Sequence, residues 1–202
     1  DKGIVTGDVS LDLPTMLETW IVGASDVFDA GVESYFIVDL RTADKNENGT
    51  VDFDEGHIEG AHMVALPDVL DYVSEHNTDN KQVLVVCYTG QTAGHANMAL
   101  RLHGHDSVVL KFGMSGWHSD FDKWSSNTGN LALDYPEAWT TDAPPDLGSY
   151  DYPTISTGET TGDAILAAQI DDKLGEFTKI TPDEVLGAPA DYFVVNFWAL
   201  ED

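Results

Sequence analysis

Apolar residues along this chain fall into two kinds of pattern. Unbroken runs predict strands buried on both faces, as in the middle of a parallel sheet: Tyr35-Phe36-Ile37-Val38 leading into Asp39-Leu40, Val83-Leu84-Val85-Val86 ending on Cys87, and Ser107-Val108-Val109-Leu110. A shorter strand is predicted over residues 62–66. Between the runs, apolar positions recur three and four apart and predict helices. One covers 13–22, with Pro14 in its first turn and Leu13, Met16, Leu17 and Trp20 on one face. Others cover 67–75, with Val69, Leu70 and Val73, and 93–102, with Ala96, Met98, Ala99 and Leu102. Trp117, Phe121 and Trp124 mark a turn and helix over 113–124, and Ile165, Leu166, Gln169 and Ile170 mark one over 163–174. Strands alternating with helices predict an α/β fold, an open parallel sheet with helices on both faces.

The pattern also divides the chain. Residues 1–126 hold the strand and helix alternation. Residues 127–162 lose it and are rich in Pro, Ser, Thr and Gly, which predicts a surface linker pinned in places by Trp139, Tyr150 and Tyr152. In 163–202, Tyr192-Phe193-Val194-Val195-Asn196-Phe197-Trp198 echoes Tyr35-Phe36-Ile37-Val38-Asp39-Leu40-Arg41 and again follows a helical stretch. This segment is expected to be an incomplete second repeat, cut from a tandem protein or covered by the first domain or by another molecule, so that a homo-oligomer or filament is expected if it pairs outward.

Candidate chemistry centres on Cys87, the only cysteine. It ends a buried strand and is followed by Tyr88-Thr89-Gly90-Gln91-Thr92 and then a helix, which is where open α/β sheets bind ligands. Loop amides and a helix N-terminus there surround the sulfur with partial positive charge and favour a thiolate nucleophile.

Four stretches stand in order: Asp39-Leu40-Arg41, Gly56-His57-Ile58-Glu59-Gly60-Ala61, the Cys87 loop, and Gly113-Met114-Ser115-Gly116-Trp117. In this order and spacing the chain resembles the rhodanese family of sulfurtransferases over about residues 10–126. The resemblance implies the rhodanese-like sheet and an enzyme that moves a sulfane sulfur from thiosulfate, a polysulfide or a persulfide to a thiophilic acceptor through a Cys87 persulfide. It further implies that amides of Tyr88, Thr89, Gly90, Gln91 and Thr92 hold the persulfide, with Thr92 supplying a hydroxyl contact and Arg41 lying close by. Asp39 would tie the first strand to the loop and Arg41 would contact substrate, the alternative for both being an ordinary buried ion pair; His57, read as structural, would hydrogen-bond its turn. Many thiosulfate-using members carry Arg or Lys in the loop, and this one does not, which counts against thiosulfate as the donor. Cysteine phosphatases need an arginine six positions after the cysteine, and Ala93 stands there. The alternative function is a non-catalytic, calcium-stabilised rhodanese-fold module used for assembly or binding.

Within this frame residues 44–55 are extra. Asp44-Lys45-Asn46-Glu47-Asn48-Gly49-Thr50-Val51-Asp52-Phe53-Asp54-Glu55 matches the EF-hand calcium loop at every specified position. Asp44, Asn46, Asn48, the Thr50 carbonyl, Asp52 and a bidentate Glu55 are the expected Ca2+ ligands, with Gly49 allowing the turn. A lone loop with three carboxylates predicts weak binding, on the order of 0.1–1 mM, and therefore a periplasmic or extracellular location. The histidines have no spacing that builds a zinc site.

Composition narrows the partners. Thirty-six acidic against nine basic residues give a net charge of −27 over 202 residues. Such a surface repels nucleic acid and anionic membranes, and no apolar run is long enough to span a bilayer. A small sulfur-donor anion or a persulfide carrier is the expected partner, and the anion must be shielded locally from that charge. Because the chain begins at Asp1, it is expected to be a processed or shortened form.

Overall fold

The structure, a computed structural model, describes residues 20–125, 136–138, 140–143, 148, 149, 151, 154, 156–175 and 177–195. The chain divides into two compact units, one formed by Asp1–Thr128 with Thr154–Phe177 and the other by Gly129–Pro153 with Thr178–Asp202.

In the first unit, β1 is Ile21–Val22, α1 is Ala24–Ala30 and β2 is Tyr35–Asp39. After the inserted loop come α2 (Asp52–Glu55), β3 (His62–Met63) and α3 (Val69–His76). Then follow β4 (Gln82–Val86), α4 (Gln91–Leu102), β5 (Ser107–Leu110), α5 (Gly113–Trp117) and α6 (Gly162–Leu174). The five strands are all parallel, in the order β1-β5-β4-β2-β3. The predicted open parallel sheet is thus present.

The central strand explains the two layers. Side chains of β4 alternate across the sheet, so Val83, Val85 and Cys87 join a core with Leu70 and Val73 of α3 and Ala93, Ala96 and Leu100 of α4. Leu84 and Val86 face the other way, onto Val27 of α1 and Met114 of α5. Helices therefore cover both faces, and the unbroken apolar run of β4 is buried between them. Burying each such side chain is worth about 1.5–3 kcal/mol, which makes this strand the organising element of the core.

Several predicted boundaries shift. Residues 13–19 of the first predicted helix lie outside the described residues, but its end is not helical, since Ile21 and Val22 pair with Val109 and Leu110 as an edge strand. Pairing with an exposed sheet edge overrides the helical spacing there. The strand predicted over 62–66 stops at Met63, and the 3-10 turn Leu66–Asp68 leads into α3. The helix predicted over 113–124 breaks at His118, which is extended, before the 3-10 turn Ser119–Phe121.

The helix that opens the expected second repeat, α6, packs on α4 of the first unit. Ile170 and Leu174 enter the core that contains Leu100 and Val73, and His95 of α4 hydrogen-bonds the Lys173 carbonyl at 3.0 Å. In the second unit, α7 is Pro182–Gly187. Thr181 caps it by accepting from the Glu184 N–H (3.3 Å), and the Glu184 carboxylate accepts from the Thr181 N–H (2.8 Å). The strand expected from Tyr192 onward does not form over 192–195, where Phe193 and Val194 are 72% and 75% exposed. Asn196, Phe197 and Trp198 lie outside the described residues, as do Trp139, Tyr150, Tyr152 and most of the predicted linker. Among the described residues no helix is long and apolar enough to cross a membrane.

Candidate active site at Cys87

Cys87 follows the last residue of β4, at the carboxyl edge of the sheet, with its side chain 2% exposed. The chain must turn at once to begin α4, and Gly90 makes that turn with φ +94°, a left-handed conformation that a side chain would strain. As a result α4 starts at Gln91, two residues earlier than its apolar spacing predicts. The early start points two amides at the sulfur: Gly90 N–H donates to Sγ at 3.2 Å and Ala93 N–H at 3.4 Å. Ala93 was outside the predicted ligand set, because a backbone donor leaves no mark on residue type.

The loop is clamped from its other side. Met114 N–H donates to the Cys87 carbonyl (2.9 Å), and the Ser115 N–H and hydroxyl donate to the Tyr88 carbonyl (3.0 and 2.9 Å). This approach requires Gly113, since a Cβ there would lie 2.3 Å from the Cys87 oxygen. The glycine pair within Gly113-Met114-Ser115-Gly116-Trp117 was the sequence signal for this contact.

The other predicted residues divide into those at the loop and those beneath it. Tyr88, Thr89, Gly90 and Thr92 are half-buried and Gln91 is exposed. The Tyr88 hydroxyl donates to the Ala43 carbonyl at 3.4 Å, and Lys45 sets its ammonium over the Tyr88 ring, 4.3 Å from the centroid. Burial, and after it the neighbouring Asp52 carboxylate, raise the Tyr88 hydroxyl above its ordinary pKa. Lys45 thus brings a cation to the loop from the insertion, a placement that only folding could reveal.

Arg41 stands beneath the loop. It is fully buried, and its guanidinium is spent on both oxygens of Asp39, on the Asp52 carbonyl (Nη1, 3.3 Å) and on the Gly56 carbonyl (Nη2, 2.7 Å), with the Phe121 ring 5.0 Å away. Asp39 correspondingly binds the Arg41 N–H, Nε and Nη2 instead of residues 88–92, so its tie to the loop is indirect, through Arg41 and the insertion. His57 bonds the Phe53 carbonyl (2.9 Å) and stacks on the Phe53 ring at 3.9 Å, closing the turn after α2.

In the inserted loop the six predicted calcium ligands surround a tight turn at Gly49, φ +90°. Asp44 accepts from the Asn48 and Gly49 N–H groups (3.2 and 2.7 Å), and Glu55 accepts from the side-chain amides of Asn46 (2.9 Å) and Asn48. Thr50 N–H bonds Asn48 Oδ1 at 2.9 Å. Among the described residues no three His, Cys, Asp or Glu side chains are gathered as ready metal ligands. As it stands, Asp44 and Glu55 are satisfied by amides of the loop itself.

The family described as a rhodanese-like domain matches residues 25–120. Among solved structures with a similar fold, the reduced CoADR-RHD of Bacillus anthracis is 19% identical with a TM-score of 0.40; the match covers 49% of this chain but only 16% of that one. A rhodanese-related protein from Thermoplasma volcanium is 17% identical (TM-score 0.38), covering 50% of this chain and 92% of the other. A rhodanese-like domain protein from Staphylococcus aureus is 22% identical (TM-score 0.39), covering 49% and 91%. No curated protein sequence matches the chain. The family match spans the stretch that holds β2 to α5 and the Cys87 loop: residues 25–120 of this chain are a rhodanese-like domain.

Proposed function

We propose that this domain is a sulfurtransferase that carries sulfur as a Cys87 persulfide. The observation that carries the reading is the pair of amide donors on Cys87 Sγ, from Gly90 and Ala93. Donors fixed before the reaction stabilise negative charge on sulfur without reorganising during it. In the first step the Cys87 thiolate attacks the outer sulfur of the donor. An S–S bond forms at Sγ, the donor's own bond to that sulfur breaks, and the remainder leaves with the electron pair. In the second step a thiophilic acceptor attacks the outer sulfur and the pair returns to Sγ. Both half-reactions use the same cradle.

The donor class follows from charge. The loop itself holds no Arg or Lys, Arg41 is buried against Asp39, and Lys45 alone lies over the Tyr88 ring. Against a net charge of −27, this favours a persulfide carrier over small dianions such as thiosulfate.

Cyanolysis tests the proposal. After loading with polysulfide and removal of excess donor, the protein should release one thiocyanate per chain when cyanide is added, and Cys87→Ser should release none. Absence of labile sulfur on the loaded wild type would leave a non-catalytic module as the correct reading.

A further inference from the structure

Among the described residues, Asp52 carries a buried carboxylate that is only partly hydrogen-bonded. The residue is 1% exposed, and its Oδ1 is turned into the inserted loop, where it accepts from the Lys45 N–H (3.1 Å) and faces the Asn46 amide at 3.5 Å. Its Oδ2 is buried without a hydrogen-bond partner. The Tyr88 hydroxyl stands beside it, close enough to interact with the carboxylate, and also meets the Ala43 carbonyl at 3.4 Å, so this shared contact leaves the buried charge incompletely bonded. Arg41 reaches the Asp52 backbone carbonyl and not its carboxylate, and the described ion pairs include none to Asp52. A buried carboxylate with neither counter-charge nor full hydrogen bonding costs several kcal/mol. The group that would relieve it is a cation.

Asp52 is also the ninth position of the calcium-loop pattern that begins at Asp44, so the unsatisfied oxygen and the motif point to the same ligand. We propose that residues 44–55 bind one calcium ion and that the ion braces the Tyr88 side of the Cys87 loop. Few atoms need to move. Asn46 and Asn48 now turn their amide N–H groups to Glu55, and rotating each terminal amide by half a turn exchanges that nitrogen for Oδ1, a hard oxygen ligand. Glu55 is then released to bind in bidentate fashion. In that rotation Asn46 Oδ1 leaves Lys123 Nζ, which it now meets at 2.7 Å, and Asn48 Oδ1 leaves the Thr50 N–H.

The brace follows from the contacts around Asp52. Its N–H donates to the Ala43 carbonyl (3.0 Å), the same oxygen that receives the Tyr88 hydroxyl, and Lys45 of the loop covers the Tyr88 ring. Locking Asp44 and Asp52 on one ion fixes Ala43 and Lys45, the residues on either side of Asp44. Tyr88 is adjacent to Cys87, so the ordering is passed to the turn that aims Gly90 N–H at the sulfur. The brace rests on Cys87 being the working nucleophile, whereas the ion site does not. An affinity on the order of 0.1–1 mM is that of extracellular calcium modules, which suits a periplasmic or extracellular protein.

Calorimetric titration of the full chain with calcium alone tests the site, and the rate of Cys87 alkylation by iodoacetamide tests the brace, neither requiring sulfur-transfer activity. Wild type is expected to bind one ion, with magnesium much weaker because it demands a tighter octahedron. Glu55→Gln is expected to bind about tenfold more weakly or not at all. Asp44→Asn, checked for native circular dichroism, serves as a second variant should Glu55→Gln fold poorly. Saturating calcium should speed alkylation at least about twofold in wild type and leave Glu55→Gln unchanged. No binding, or equal binding by wild type and both variants, overturns the ion site. Specific binding with an unchanged or slower alkylation rate overturns the brace.

Discussion

The Arg41 guanidinium holds both carboxylate oxygens of Asp39, Nη2 to Oδ2 at 2.7 Å and Nε to Oδ1 at 3.0 Å, with both side chains sealed from solvent. The pair sits where β2 ends, and Arg41 extends it to the carbonyls of Asp52 and Gly56, so one guanidinium joins the sheet to both ends of α2. Removing one partner strands a buried charge. Asp39→Ala or Arg41→Met should each cost about 3–5 kcal/mol in urea unfolding. Arg41→Lys should cost nearly as much, because an ammonium cannot make the fork. Stability within about 0.5 kcal/mol of wild type would contradict the lock.

Gly113 sits against the Cys87 carbonyl. Adding one methyl there forces the backbone of α5 away from Cys87 and Tyr88, since the new carbon would lie 2.3 Å from the Cys87 oxygen at a positive φ of +56°. We expect Gly113→Ala to destabilise by at least about 1–3 kcal/mol and to abolish most persulfide formation. Gly94→Ala, in open space on α4, provides the contrast and should lose nothing. Thermal melting and cyanolysis of the two variants side by side would decide it.

The raised Tyr88 hydroxyl sets a limit on the alkaline side. The folded state keeps the tyrosine proton to higher pH than the unfolded chain, whose pKa is near 10. The contribution is therefore complete below about pH 10 and is lost as pH rises through the folded value, because the unfolded state then binds fewer protons. Tyr88→Phe removes this component, so its unfolding midpoint should fall less steeply than that of wild type above pH 10. Parallel curves would show that ionisation of Tyr88 is not linked to folding.

Helix α6 contributes Ile170 and Leu174 to the core of the first unit. Leu174→Ala should cost about 2–5 kcal/mol, as for other buried leucines, and the loss should appear in the single transition that also reports on Trp117. A cost near zero would mean that α6 is dispensable to the first unit and belongs with a separate repeat.

The parts of this protein legible in its residues are those governed by local rules. Unbroken apolar runs specify strands buried on both faces, and so the three inner strands and the place of Cys87 at the end of one follow from composition within a few residues. The glycines of the Cys87 loop and of the Gly113 turn mark positions that need unusual φ or close approach.

Tertiary structure decided whatever depends on which distant segment comes to lie alongside. Arg41 follows a strand that points toward the loop, and nothing in its neighbours says whether the guanidinium reaches for a ligand or folds back on Asp39 two residues earlier; burial decides, because a sealed charge must take the nearest counter-charge. Ile21 and Val22 carry helical spacing but meet the open edge of β5, where the backbone hydrogen bonds of a parallel pair outweigh a weak propensity. The amphipathic face of α6 fits any apolar surface, and the partner it found was α4, which no pattern within residues 162–174 could specify. Local sequence sets the conformations available to a segment; the choice among them is made by the surface that buries it.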